Sequence, residues 1–184
     1  MILRGLVWLL GLAMIAGIVH IVTVFGVPRY AVHEPWDELA AYGPVESFVA
    51  LPRVKHGAKT LPGLDPAMVQ AVCRFSLDRG PVRVRVSPAD VYWSLSLYDR
   101  HGLHVWGTDN RVTGQKAVDL LVANDVQVAQ LRESTPDELE DIVVVEWHSG
   151  DGIALVQIMV PQASMEAEIT ASLGTASCKP TSIQ

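Results

Sequence analysis

The chain has 184 residues, of which 49% are hydrophobic, and it carries a formal net charge of −6 at pH 7. That length suits one domain with an additional segment. The acidic balance and the scattered Lys and Arg residues exclude nucleic acid from the expected partners, because phosphate binding needs clustered positive charge.

The first predicted element is a membrane-spanning helix. Residues 5–27, GLVWLLGLAMIAGIVHIVTVFGV, form a run of 23 residues without a formal charge. A helix of that length reaches roughly 34 Å, enough to cross a hydrocarbon core about 30 Å thick. A cleaved signal peptide is the alternative, but the run is longer than a usual signal core and no A-x-A pattern closes it. We therefore expect residues 1–27 to be a transmembrane signal anchor.

Two polar residues interrupt the apolar run. His20 and Thr23 lie three positions apart and therefore share one face of a helix. An ionisable group inside a span is costly, and it is by default a candidate for pairing or function. We expect the two residues to contact another inner-membrane protein. The alternative is a neutral histidine bonded to a backbone carbonyl or a lipid headgroup.

The expected location is the bacterial inner membrane, as a single-pass protein with its C-terminal domain in the periplasm. Arg4 precedes the span and the chain turns acidic soon after it, although this charge bias is small. Cys73 and Cys178 are the two cysteines of the chain, and both follow the span. They are compatible with one disulfide in an exported domain or with two buried thiols, and we predict that Cys73 and Cys178 are joined.

Residues 28–66 are expected to form a juxtamembrane helix followed by an irregular crossing segment. The stretch HEPWDELAAYGP places Pro35 in the first helical turn. Trp36 and Tyr42 would lie at the headgroup level or pack onto the underside of the domain. The prolines and glycines of residues 51–66 predict an irregular path there.

Residues 67–184 are predicted to form a β-rich exported domain. Alternating apolar residues predict strands in MVQAVCRFSL, PVRVRV, VYWSLSLYD, LHVWGTDN, DIVVVEWHS and GIALVQIMV. In VYWSLSLYD the alternation places Trp93, Leu95 and Leu97 in the core. The close spacing predicts antiparallel pairing, and the turn at 149–152 predicts a hairpin between the last two strands.

Helices are predicted in three of the remaining stretches. NDVQVAQLRES can begin on an Asn124 cap, and TPDELED has Thr135 as its cap. PQASMEAEITASLG places Met165 and Ile169 on one apolar stripe and ends at Gly174.

The order of these pieces resembles a known family. HIVTVFGVPR, FVALP, DPAMVQAVCRFSLDRGPVRVRV, YWSLSLYD and LVQIMVP together resemble small membrane-anchored members of the domain of unknown function 1254 family. The YWSLSLYD strand followed by Asp109 and Asn110 also resembles a motif of the related 1214 family. The resemblance implies an α+β, β-rich fold in which a transmembrane helix precedes an antiparallel β-sandwich-like domain with a C-terminal helix. It implies no established activity.

Catalytic signatures are weak in this sequence. It contains no G-x-S-x-G elbow, no H-E-x-x-H and no paired C-x-x-C, so we predict neither a metal nor a cofactor. Glu146 and His148 share one strand face and are the candidate acid and base of a small hydrolase or lyase.

A polar groove is the predicted binding site, if the faces that carry its residues coincide. The candidate binding residues are Arg83, Arg85, Tyr92, Tyr98, Asp109 and Asn110. The alternative is an ordinary solvated sheet face. The favoured function is a membrane-anchored envelope module that binds a partner protein or a cell-wall glycan, and the enzyme is the alternative.

Overall fold

The computed structural model describes residues 1–30, 34–54, 61, 63–88, 90–114, 117–134 and 142–181. The chain divides into two compact units, Met1–His33 and Glu34–Gln184. The helix predicted from the Thr135 cap lies outside the described residues.

The first unit contains the predicted apolar helix, α1, over Ile2–Tyr30. Among the described residues, this is the one helix long and apolar enough to cross a membrane, over Ile2–Val27. The Thr23 hydroxyl donates to the Val19 carbonyl oxygen at 2.8 Å, so it has a partner within its own helix. Length and composition of this kind also fit a signal sequence.

The second unit is a sandwich of two sheets. Its described strands are β1 (Val49–Ala50), β2 (Met68–Ser76), β3 (Val82–Val86), β4 (Trp93–Asp99), β5 (His104–Asp109), β6 (Val118–Ala123), β7 (Val143–Glu146), β8 (Asp151–Met159) and β9 (Ser177–Pro180). Sheet A has the order β1-β2-β8-β4-β5, and sheet B has the order β7-β6-β3-β9. Every described pairing is antiparallel except β6 with β7.

Short helices connect and cover the strands. They are α2 (Pro35–Glu38), α3 (Asn110–Thr113), α4 (Asp125–Ser134) and α5 (Glu166–Leu173), with 3-10 turns at Leu39–Ala41, Leu77–Arg79 and Ala163–Met165. The predicted α+β, β-rich fold with an apolar N-terminal helix is therefore confirmed.

The core lies between the two sheets and follows the predicted alternation. Trp93, Leu95 and Leu97 are at most 2% exposed, as the period-two pattern of β4 predicts. Alternate residues of β2, β3, β6 and β8 complete the same cluster. The α5 side chain Ile169 is fully buried against it, which confirms the predicted stripe.

The hairpin predicted between DIVVVEWHS and GIALVQIMV is wrong. Strand β7 lies at the edge of sheet B, whereas β8 lies in the middle of sheet A between β2 and β4. Trp147 follows β7 directly, is 1% exposed and packs edge-on against Phe75 with ring centroids 5.4 Å apart. Burial of this indole between the sheets takes the chain from one sheet to the other.

The parallel pairing of β6 and β7 has its origin in the connection between them. Strand β6 leads into α4, which packs on the outer face of sheet B, and the chain then returns to β7. A crossover of this kind brings the second strand back in the same direction. Asn124 caps α4 as predicted, because its side-chain oxygen accepts from the Gln127 N–H at 2.9 Å.

A disulfide joins the two sheets. Cys73 in β2 and Cys178 in β9 are bonded, with an S–S distance of 2.14 Å. Both residues are at most 1% exposed. The bond joins the two cysteines that were expected to pair, but β9 was not predicted from the sequence, so the connection between opposite sheets was not expected.

Candidate ligand-binding site

A concave pocket lies on the outer face of sheet A, the face that points away from sheet B. Its volume is about 300 Å³. Strands β2, β4 and β8 form its floor through Val72, Tyr98, Ile153 and Leu155. The described walls are Pro35, Leu39, Leu51, Leu61 and Leu64, and Glu38 and Gly102 are also part of the lining. Almost the whole surface of the pocket is therefore hydrocarbon.

The sequence places apolar residues on this outer face because β8 is apolar on both sides. Val156 and Ile158 face the core, while Ile153 and Leu155 face outward. A strand that is apolar on both faces must be covered on both. Helix α2 and the 3-10 turn that follows it supply part of that cover through Trp36 and Leu39, which are each only 8% exposed.

Arg74 fixes the covering segment onto the sheet. Its guanidinium lies over the Trp36 ring, 5.1 Å from the centroid. The same group donates to the Gly43 carbonyl oxygen at 2.9 Å and to the Trp36 carbonyl oxygen at 3.4 Å. Of the two positions expected for Trp36, packing onto the domain is the one observed. Residues of the expected juxtamembrane segment thus help to build the pocket.

An ion-pair cluster lies beside the pocket. Arg100 donates to Glu34 at 2.6 Å and to Asp151 at 3.2 Å, and its guanidinium lies 3.6 Å from Asp37. The hydrogen bond from Arg100 lowers the pKa of Glu34 below its ordinary value. Among the described residues of this cluster, Glu34, Asp37 and Asp151 surround the single guanidinium of Arg100, and Glu38 adds a carboxylate to the pocket lining.

Tyr98 is the predicted binding residue that the structure places in the pocket. It comes from β4 and faces outward, opposite to the buried Leu97. Its ring also meets the ring of His104 edge-on, with centroids 5.4 Å apart. The outward face of VYWSLSLYD therefore contributes one aromatic wall to a concave site.

Arg83 and Arg85 lie on the outer face of sheet B and not at the pocket. Both donate to Asp119, at 2.7 and 2.8 Å for Arg83 and at 2.8 Å for Arg85. Burial raises the pKa of Asp119, but the hydrogen bonds from the two arginines outweigh it and hold that pKa below the usual value. The two arginines therefore take part in an ion-pair cluster on the opposite side of the sandwich.

Tyr92, Asp109 and Asn110 meet at one corner of sheet A. Asp109 caps α3, accepting from the Arg111 and Val112 N–H groups at 2.9 Å. Asn110 donates to the Val91 carbonyl oxygen at 3.2 Å. The Arg111 guanidinium lies over the Tyr92 ring at 5.2 Å. Asp109 and Asn110 therefore have a structural role: they hold the end of β5 and the start of α3 against the segment that leads into β4.

Glu146 and His148 are both exposed, because they alternate with the buried Val145 and Trp147. His148 Nδ1 lies 3.4 Å from the Asp125 carboxylate oxygen, and both side chains are more than 70% exposed. Glu146 lies in β7 of sheet B, and His148 follows that strand, so both lie away from the pocket on sheet A. The single groove expected from the arginine, tyrosine and Glu146–His148 faces does not form among these residues.

Sequence reasoning missed most of the pocket. Because β8 was predicted to be one half of a hairpin, the outward-facing side chains of Ile153 and Leu155 were not identified as part of a binding site. The signal that could have revealed the pocket is the run GIALV, residues 152–156, which is apolar at consecutive positions and predicts a strand covered on both sides.

One solved structure supports the fold. The VPA0106 protein from Vibrio parahaemolyticus superimposes with a TM-score of 0.58 at 14% identity, over 79% of this chain and 34% of that one. An uncharacterized protein from Burkholderia cenocepacia gives a TM-score of 0.45 at 15% identity, over 69% of this chain and 35% of the other. The chain spans about a third of the length of these structures.

The sequence match is more specific. No curated protein matches this sequence significantly. The family described as "Protein of unknown function (DUF1254)" matches residues 45–177, which include every strand of the sandwich core from β1 to β8 and the start of β9. The chain therefore belongs to the DUF1254 family.

Proposed function

We propose that this protein is a single-pass inner-membrane protein whose periplasmic domain acts as a binding module of the cell envelope. The observation that carries the proposal is the apolar pocket on the outer face of sheet A. It is concave, it is lined by side chains from separate elements, and such sites are the usual place for ligands.

Two features support export of the domain. Helix α1 has the length and composition of a membrane span. The two cysteines of the chain are paired, and disulfides persist mainly in oxidising compartments. His20 and Thr23 on α1 remain our proposed contact with another inner-membrane protein.

The chemistry of the pocket discriminates between the two expected kinds of partner. A cell-wall glycan carries many hydroxyl groups, and each buried hydroxyl needs a hydrogen-bond partner. The floor residues Val72, Ile153 and Leu155 offer none from their side chains. The pocket therefore fits an apolar group, carried by a partner protein or by another envelope molecule, better than it fits a sugar.

A small hydrolase or lyase remains the alternative function. One observation favours it, the 3.4 Å contact between His148 and Asp125, since a carboxylate can orient a histidine that acts as a base. Against it, this pair lies exposed on the surface and away from the pocket, whereas an acid–base pair must converge on a concave substrate site.

Site-specific photo-crosslinking in native membranes tests the proposal. A photoreactive amino acid replaces Glu38, which lines the pocket, or Glu146, which is exposed on the other side of the sandwich. We expect a reproducible adduct from position 38 and none from position 146. The enzyme would be established instead if position 38 gave no adduct and the protein turned over a substrate with an activity that His148→Ala abolishes.

A further inference from the structure

The pocket combines a large volume with an apolar floor. Apolar cavities of about 150 Å³ stay dry and bind compact hydrocarbons such as benzene. The pocket on sheet A has about twice that volume and opens to the surface. An elongated apolar group could enter it from one end while its polar end stays in water.

The charge around the pocket restricts what that polar end can be. Glu38 lines the pocket, Glu34 and Asp37 flank the lining residue Pro35, and Asp151 lies two residues before Ile153. Arg100 already contacts three of these four carboxylates. Among the described residues at this end of the pocket, beside Pro35 and Glu38, negative charge is therefore in excess, which disfavours an anionic headgroup and favours an uncharged or cationic one there.

A short stretch of chain connects the pocket domain to the proposed membrane anchor. Tyr30 is the last residue of α1, and the pocket lining begins at Pro35. Five residues of chain extend to at most about 18 Å. If α1 spans a bilayer, the first lining residue therefore follows the membrane segment by at most this length of chain.

We propose that this pocket binds the alkyl chain of an amphiphile whose headgroup is uncharged or cationic. This inference rests on the proposed function, because it assumes that the pocket is the ligand site of an envelope binding module. The alkyl chain lies along Val72, Ile153 and Leu155, and the headgroup lies near Glu38. Tyr98 closes one side of the pocket.

The affinity should depend on chain length and on the charge of the headgroup. Each methylene removed from water contributes about 0.8 kcal/mol, which corresponds to about a fourfold gain in affinity until the pocket is filled. A carboxylate headgroup at the same chain length should bind more weakly because of the surrounding acidic residues.

The test uses the full-length protein in phosphatidylcholine nanodiscs. The probe is an alkyltrimethylammonium ion with a diazirine in its chain, and a carboxylate probe of equal length is the comparison. Mass spectrometry locates the labelled residues. We expect labelling of β8 and of the segment around Leu64, stronger with the cationic probe. Unlabelled alkyltrimethylammonium ions should compete with the probe for the pocket. The free concentration that halves the labelling should fall by up to about fourfold for each methylene added to the competitor.

Variants that fill the pocket with a larger side chain should block binding, and a substitution of the same kind on the surface is their control. Leu155→Trp and, separately, Leu64→Trp should abolish labelling of the pocket but leave labelling of α1 intact. Val126→Trp adds the same bulk on α4, at a residue that is 66% exposed, and should change nothing. Using two filling variants keeps the test valid if one of them does not fold.

The outcomes separate this inference from the proposed function. Labelling of α1 without labelling of the pocket overturns the alkyl-chain inference. If the photoreactive group at position 38 nevertheless captures a protein or a glycan in native membranes, the binding module stands and its ligand is of that other class. If position 38 captures nothing either, both proposals fail.

Discussion

Trp93 illustrates how one side chain determines the stability of the sandwich. It lies in β4 with 2% of its surface exposed and faces the core between the two sheets. Trp93→Ala should lower the free energy of unfolding by about 3–5 kcal/mol, because it leaves a large cavity. Urea unfolding of the full-length protein in nanodiscs, followed by circular dichroism, measures the change.

The matched control for this substitution is Leu103→Ala, at a side chain that is 68% exposed. Its effect should stay within about 0.5 kcal/mol. A Trp93→Ala variant that unfolds at the same urea concentration as this control would show that the core assignment of β4 is wrong.

Asp119 makes the stability of sheet B depend on pH. Because the folded-state pKa of Asp119 is lowered, its contribution is present above the unfolded pKa of about 3.9 and is lost as pH falls through the folded value. Asp119→Asn should therefore destabilise the protein by about 1 kcal/mol near pH 7 and by less near pH 3. Urea midpoints at the two pH values measure this.

Glu133→Gln, on the exposed surface of α4, is the control for the pH experiment. Equal losses for Asp119→Asn at both pH values would contradict the ion-pair explanation. They would indicate that the amide disturbs packing instead.

At the residue scale, alternation predicted burial well and function poorly. Burial of Trp93, Leu95 and Leu97 follows from the two-residue period of a strand, which is a local property. Arg83 and Tyr98 share a comparable outward pattern, yet they lie on opposite sides of the sandwich. Strand periodicity does not show which sheet a strand joins, so the convergence of side chains could not be predicted.

Among the elements, the turn into β8 depends on Gly152, the second residue of that strand. A Cβ atom at this position would overlap the rings of Phe75 and Trp147. Gly152→Ala should therefore cost about 1–3 kcal/mol, as overpacking of a core does. At Gly150, in the same turn, a Cβ would meet nothing within 4 Å, and Gly150→Ala should unfold like the unmodified protein. Equal stability of both variants would contradict the observed position of Trp147.

The disulfide connects β2 and β9 across the sandwich and closes a separation of 105 residues. We expect that replacing both Cys73 and Cys178 with alanine lowers the free energy of unfolding by about 2–5 kcal/mol, since a long loop is no longer constrained in the unfolded chain. Thiol alkylation after denaturation without reductant should leave the natively produced protein unlabelled. Two labelled cysteines would contradict the bond.

The elements missed from the sequence were those whose placement depends on distant partners. The turn at 149–152 has the composition of a hairpin, but the burial of Trp147 directs the following strand into the other sheet. β6 and β9 were overlooked because their pairing with β3 is specified by the sandwich as a whole. The Asn124 cap, in contrast, was predictable since it involves neighbouring residues alone.

The whole molecule consists of an apolar N-terminal helix and a sandwich that carries a pocket on one outer face. We propose that the helix holds this domain in the periplasm. The proposed binding module of the envelope requires that location, and the paired cysteines are typical of an oxidising compartment. The orientation of the chain is therefore the property to measure.

Two reporters fused after Gln184 provide the most direct measurement, one active only after export and one that fluoresces only in the cytoplasm. A fusion lacking residues 2–27 serves as the control. The account predicts activity of the exported reporter, in the membrane fraction, and no cytoplasmic fluorescence. Fluorescence of the full-length fusion, or release of the active reporter into the soluble periplasmic fraction, would contradict it.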